Sequence, residues 1–135
     1  MRDPKDIVSE MMKNDSFSQW LGIHVISVAK GTAKISMTVR DEMVNGFGVV
    51  HGGITYCLAD SCLAFAVNGN GVKSMSIETS ISHLNTVHPG DHLTAIAKEI
   101  NLSNKIGVYS IDVFNQENKL VAQFKGTCYR SSKEW

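Results

Sequence analysis

Apolar positions along this chain change period several times, and each change marks a new element. Behind Pro4, which suits a first helical turn, Ile7, Val8, Met11 and Met12 recur at helical spacing, so residues 4–14 read as a short amphipathic helix. The stretch "NDSFSQWLG" reads as a turn or a second short helical piece ending at Gly22. The period then falls to two. "IHVISVAKGTAKISMTV" predicts a hairpin turning at Lys30-Gly31, with Ala33, Ile35, Met37 and Val39 inward and Thr32, Lys34, Ser36 and Thr38 outward. A glycine-bearing loop, "RDEMVNGFGVV", leads into a run from about Gly52 to Val67 that is apolar on most of its circumference. That run predicts a long helix, stopped at "NGNG" by residues that tolerate left-handed backbone. Strands are expected over about 74–85, 91–101, 105–115 and 119–130, with turns at Gly90-Asp91 and at Gln116-Glu117-Asn118-Lys119. In the last hairpin Tyr109, Ile111 and Val113 alternate on one arm, and Leu120, Ala122 and Phe124 on the other.

Strands flanking one long helix do not alternate as a doubly wound βαβ sheet would. The economical solution is an α+β fold, one antiparallel sheet wrapped around the helix. No repeat, linker or low-complexity segment divides the chain, so residues 1–135 are expected to form one domain. A helix apolar nearly all round suits burial by the sheet on one side and by a second copy of the chain on the other. A dimer is expected.

Composition narrows the partners. Thirteen Lys plus Arg balance thirteen Asp plus Glu without a basic block, which argues against nucleic acid because phosphate neutralisation needs clustered positive charge. The opening "MRDPKDIVSEMM" is charged throughout, and the longest apolar run, about Ile54 to Val67, is interrupted by Asp60 and too short for the roughly 20 residues a membrane span needs. A soluble, cytoplasmic protein is expected. Cys57, Cys62 and Cys128 are odd in number and match no metal-ligand spacing, consistent with small apolar residues in a reducing compartment. His83, His88 and His92 lie in strand and turn segments with no carboxylate or cysteine spacing to complete a set, so no metal is expected, and no cofactor.

One residue breaks the apolar pattern. Asp60 sits among Leu58, Ala59, Leu63, Ala64, Phe65 and Val67, where an ionised carboxylate costs several kcal/mol in order of magnitude unless it is paired or hydrogen-bonded. It is either a structural carboxylate, paired inside the dimer, or kept for chemistry. At the start of the same helix Gly52 and Gly53 offer backbone N–H groups without intrahelical acceptors, favoured toward negative charge by the helix dipole and open to close approach.

At "MVNGFGVVHGGITYCLAD" the chain resembles the hotdog-fold thioesterases of the phenylacetic acid degradation type, PaaI. The likeness covers nearly the whole chain. It takes in "LGI" after the first helix, Asn45-Gly46, His51-Gly52-Gly53 opening the helix, Leu58-Ala59-Asp60 on it, the Gly90-Asp91 turn and Gly107-Val108-Tyr109. The resemblance implies a long helix wrapped by a five- or six-stranded antiparallel sheet, homodimers with paired sheets assembling into homotetramers, and hydrolysis of acyl-coenzyme A thioesters, typically aryl-acetyl. In one strand the family's aromatic-Leu-Arg-Pro pattern is replaced by His83-Leu84-Asn85-Thr86, so contacts made there do not carry over.

A thioester needs an attacking oxygen and a stabilised oxyanion; its thiol, with a pKa near the 8.5 or so of cysteine, leaves readily. One carboxylate and one oxyanion donor are the least that this chemistry requires. A helix N-terminal N–H, by the resemblance that of Gly52, is the expected oxyanion donor, and Asp60 the nucleophile or general base. The resemblance gives Asn45 the orientation of nucleophile or water, and His51 the support of loop or thioester. Without it Asn45 reads as a turn residue and His51 as a helix-entry residue bonded to its loop. Gly53 and Asp60 are seven residues apart, roughly 10 Å along one helix, too far to act on one carbonyl. Active sites shared across a dimer follow. Lys98, Lys105, Lys125 and Arg130 are available for coenzyme phosphates but read as solvated strand charges, and Ser61 lies outside any nucleophile elbow. Two other readings stand beside hydrolysis: a hotdog dehydratase or hydratase using His51 with Asp60, and a hotdog module that binds acyl-coenzyme A without turnover.

Overall fold

Local chemistry sets the element boundaries. The computed structural model describes residues 2–135. Asp3 caps the first helix, α1 (Pro4–Asn14), by accepting the Lys5 N–H, and α1 buries Ile7 and Val8. Asp15 caps α2 (Ser16–Leu21) through the Ser18 N–H, and Gly22 ends it in the left-handed region at φ 79°. Strands β1 (His24–Ala29) and β2 (Thr32–Thr38) form the expected hairpin, turning through Gly31 at φ 77°. The loop opens with a 3-10 turn at Asp41–Met43 and continues through Asn45–Val50 into α3 (Gly52–Asn68).

Four strands complete the fold: β3 (Val72–His83), β4 (His92–Leu102), β5 (Ile106–Phe114) and β6 (Leu120–Glu134). They join the hairpin in one six-stranded sheet of order β1-β2-β4-β5-β6-β3, antiparallel at every pairing. This is the wrapped helix that the pattern predicts. Leu58, Ala59, Cys62, Leu63 and Phe65 of α3 are buried with Ile35, Leu93, Ile111 and Phe124 of the sheet, each large side chain stabilising the core by about 1.5–3 kcal/mol. Gly126 is required where β6 passes α3, because a Cβ there would run into Leu63. Tyr109 donates to Glu99 at 2.6 Å, and Asn70 donates to both, tying the segment after α3 to β4 and β5.

The structure corrects several boundaries. α3 runs one residue further than predicted because Asn68, fully buried, receives the Ser74 N–H and the Trp135 indole N–H and donates to the Ala64 and Ser74 carbonyls. Gly69 is right-handed, and within "NGNG" the left-handed residue is Gly71 at φ 100°. β3 is shifted two residues toward the N-terminus, and β6 continues to Glu134 through its pairing with β3. Ser36, expected outward, is only 3% exposed: its short side chain lies between His24 and Thr94 on the neighbouring strands.

Two surfaces stay open. On α3 a stripe of partly exposed residues, Gly53, Cys57, Asp60, Ser61 and Ala64, follows the helical repeat. Beside it β3 pairs only with β6, leaving a 12-residue edge strand with Met75 71% and Ile77 61% exposed.

Candidate active site

The N-terminus of α3 is held by His51, whose backbone is extended and whose Nδ1 accepts the Gly53 N–H at 2.9 Å. The Gly53 donor is therefore occupied, and within the protomer His51 is the helix-entry residue. The neighbouring Gly52 N–H has no acceptor among the described residues. Asn45 makes the turn that its Asn-Gly sequence suggests: its Oδ1 accepts the Phe47 N–H at 2.8 Å and the Val49 N–H at 3.4 Å, while Gly48 adopts φ 80°. Asn45 and Gly52 line one cavity of about 360 Å³ together with Thr55, His83 and Asn85. The rings of His51 and Phe17 instead line a second depression, with Gly53, Ile54 and Cys57.

Asp60 is elsewhere. It lines a separate cavity with Met11, Ala64, Ser74, Ser76 and Cys128, beside the first half of β3. No donor among the described residues reaches its carboxylate. Burial raises its pKa above the ordinary carboxylate value, and the charge of Asp15 raises it further. Its own charge works in turn on the thiols around it. Burial first and Asp60 second push up Cys57, and in the same order take Cys128 to about 12. None of these thiols is poised as a thiolate nucleophile.

The protomer thus brings Asn45 and Gly52 together, sets Gly53 and His51 beside them on another face, and holds Asp60 apart. Three features escape the sequence reading. Ser76 reaches the Asp60 cavity from β3. A buried hydroxyl, Ser18, donates to Asp15 Oδ2 at 2.6 Å and meets Ser61 Oγ at 2.8 Å, clamping α2 to α3 next to Asp60. His83 touches Thr55 at 3.3 Å and lies against Gly52. The capping pattern at Asp15 was a usable signal for the second; the other two depend on where the far strand meets the helix. His92 pairs with Thr38, away from His83, and among the described residues no three His, Cys, Asp or Glu side chains gather as a metal-ligand set. No helix among them is long and apolar enough to cross a membrane.

Comparison with known proteins agrees with this architecture. The family model of the thioesterase superfamily matches residues 47–122, from the Asn-Gly loop through α3 into β6. Acyl-coenzyme A thioesterase PaaI of Escherichia coli is 38% identical over 120 residues, 89% of this chain and 86% of that protein. The solved E. coli PaaI protein, from the phenylacetic acid degradation operon, superposes with a TM-score of 0.95 at 35% identity, covering 97% of this chain and 95% of the other. Human acyl-coenzyme A thioesterase 13 is 28% identical across 91% of both chains. A match over more than half the sequence, borne by the loop, helix and wrapping strands described above, establishes that this chain belongs to the thioesterase superfamily, as a hotdog-fold acyl-coenzyme A thioesterase of the PaaI type.

Proposed function

We propose that the chain hydrolyses aryl-acetyl-coenzyme A thioesters, such as phenylacetyl or hydroxyphenylacetyl, to free acid and coenzyme A at sites shared between two copies. Thioester hydrolysis follows from the family; the acyl group is suggested by the operon of the E. coli relative. One observation carries the shared site. The free Gly52 N–H with Asn45, and the Asp60 carboxylate, lie near opposite ends of the same edge strand: His83, against Gly52, ends β3, while Ser74 and Ser76, beside Asp60, lie in its first half. Antiparallel pairing of two β3 edges about the strand's middle sets the Gly52 end of one copy against the Asp60 region of the other.

In that arrangement the Gly52 N–H and the helix dipole receive the thioester carbonyl oxygen. Asp60 of the other copy takes a proton from water as the water oxygen bonds to the carbonyl carbon, or bonds to that carbon itself, giving an anhydride that water then cleaves to the free acid and the carboxylate. The carbonyl electron pair moves to oxygen, returns, and the C–S pair leaves with the thiolate. A carboxylate held above its ordinary pKa is the better base for this work. The two further copies of a homotetramer would leave the chemistry unchanged. The hydratase reading has less support because His51 Nδ1 is already engaged in capping the Gly53 N–H.

Thiol release from phenylacetyl-, hydroxyphenylacetyl-, benzoyl- and aliphatic acyl-coenzyme A tests the proposal, with Asp60→Asn beside wild type. Fastest turnover on the aryl-acetyl members, lowered about 10²-fold or more by the substitution, is expected. Binding without release would leave a ligand-binding module, and a preference for aliphatic chains would overturn the acyl assignment.

A further inference from the structure

We propose that His83 is a catalytic residue of this site, delivering the proton to the departing thiolate. The inference rests on the thioester hydrolysis proposed above. It begins with the hydrogens on Thr55. The Thr55 hydroxyl has one, and it donates to the Gly52 carbonyl at 3.1 Å. Assigning that hydrogen to the nearer acceptor, the carbonyl, makes Nδ1–H the donor and Thr55 Oγ1 the acceptor in its 3.3 Å contact with His83. With the Nδ1 proton committed, Nε2 is the nitrogen that gains and loses one.

Nε2 is also the ring atom nearest Gly52. It stands 3.1 Å from where a Cβ on Gly52 would be, so the imidazole fills the space that the glycine leaves at the entrance to α3. Its cavity is the one shared by Asn45 and the free Gly52 N–H. The ring is carried on pinned backbone. His83 is in register with Ala122, the Leu84 and Asn85 N–H groups both donate to the Val121 carbonyl, and Asn85 Nδ2 donates to the Leu120 carbonyl at 2.7 Å. A proton donor held on a rigid element, lining the cavity of the group proposed to hold the carbonyl oxygen, is suited to meet a leaving group that departs from the same carbon.

The step balances. Nε2 takes a proton from solvent between turnovers. When the tetrahedral intermediate collapses, its oxygen electron pair re-forms the carbonyl, the C–S pair goes to sulfur, and the Nε2 proton follows it. Free thiol and neutral imidazole result. The proton that Asp60 drew from water returns to solvent, so acid and thiol are the only products.

The test varies the leaving group. Single-turnover rates would be measured for wild type, His83→Phe and His83→Gln on thioesters of one acyl group with thiols of different acidity. Coenzyme A and N-acetylcysteamine supply the alkyl thiols and a nitrothiophenol the acidic aryl thiol. Loss on the order of 10² with the alkyl thiols, shrinking to within about threefold for the aryl thiol, is expected, because a thiolate that leaves unaided needs no acid. Equal losses across the series would make His83 a packing or positioning residue and overturn the proposal. So would unchanged rates. The glutamine variant keeps a polar side chain at the position should phenylalanine disturb assembly, which size measurements on each variant would show. A wild type that releases no thiol from any ester would refute the hydrolytic reading beneath the proposal, an outcome distinct from both.

Discussion

Asp60 shows what a single residue costs and offers. Its pKa is raised chiefly by burial and further by Asp15, so the folded protein holds the carboxyl proton more tightly than the unfolded chain does. Stability from such a group is fully present below the unfolded pKa and is lost as pH rises through the folded one. Asp60→Asn stays neutral throughout. Thermal melts between about pH 3 and pH 8 should therefore find the variant close to wild type in acid and more stable near neutrality. A variant less stable at neutral pH would mean that the assembled protein pairs or hydrogen-bonds this carboxylate. The same raised pKa carries into catalysis: kcat/KM should fall on acidification through a midpoint above the ordinary carboxylate value, measured on the best substrate of the panel. Asp60 was legible in the sequence because a charge inside an apolar helix conflicts with burial. The occupied Gly53 N–H was not, since it depends on the rotamer of His51.

At the scale of elements, α3 and the hairpin before it were legible from period alone, since Ala33, Ile35, Met37 and Val39 alternate and all are buried. The Ser36 exception belongs to one short side chain set between His24 and Thr94, since Thr32, Lys34 and Thr38 of the same strand are exposed as expected. The place of β3 was less legible. Its residues follow α3 directly, yet it crosses to the far end of the sheet beside β6, a long-range pairing that local pattern does not encode. Its edge is long and, between Lys73 and Glu78, carries the exposed apolar side chains of Met75 and Ile77, the kind of surface that favours association. Ile77→Lys should block edge pairing. Sedimentation should find a folded monomer, and thiol release should drop to background although no residue of the Gly52 or Asp60 cavities has changed. A variant that stays oligomeric and active would refute pairing through this edge.

For the whole molecule, the question is whether one copy holds a complete site. Gly52→Pro removes the free N–H where helices tolerate proline best, at the first helical position, and His51 already has the extended backbone that a following proline requires. Its ring must displace His83 slightly, since a Cβ there meets Nε2 at 3.1 Å. Mixed with Asp60→Asn after dissociation and reassociation, two inactive proteins should regain activity, because a heterodimer assembles one site with both wild-type groups. The expected yield is up to a quarter of the wild-type rate, about half of random dimers being mixed and each having one good site of two. No recovery in confirmed heterodimers would return each site to a single chain.

The open β3 edge has a kinetic consequence as well. If the two halves of the chemistry meet only across it, dilution is itself an inhibitor. Well below the dissociation constant of the pair, the amount of competent enzyme grows with the square of the chain concentration, so doubling synthesis quadruples hydrolysis. Such a protein stays nearly silent when scarce and gains activity steeply as it accumulates, a threshold that needs no separate regulatory domain.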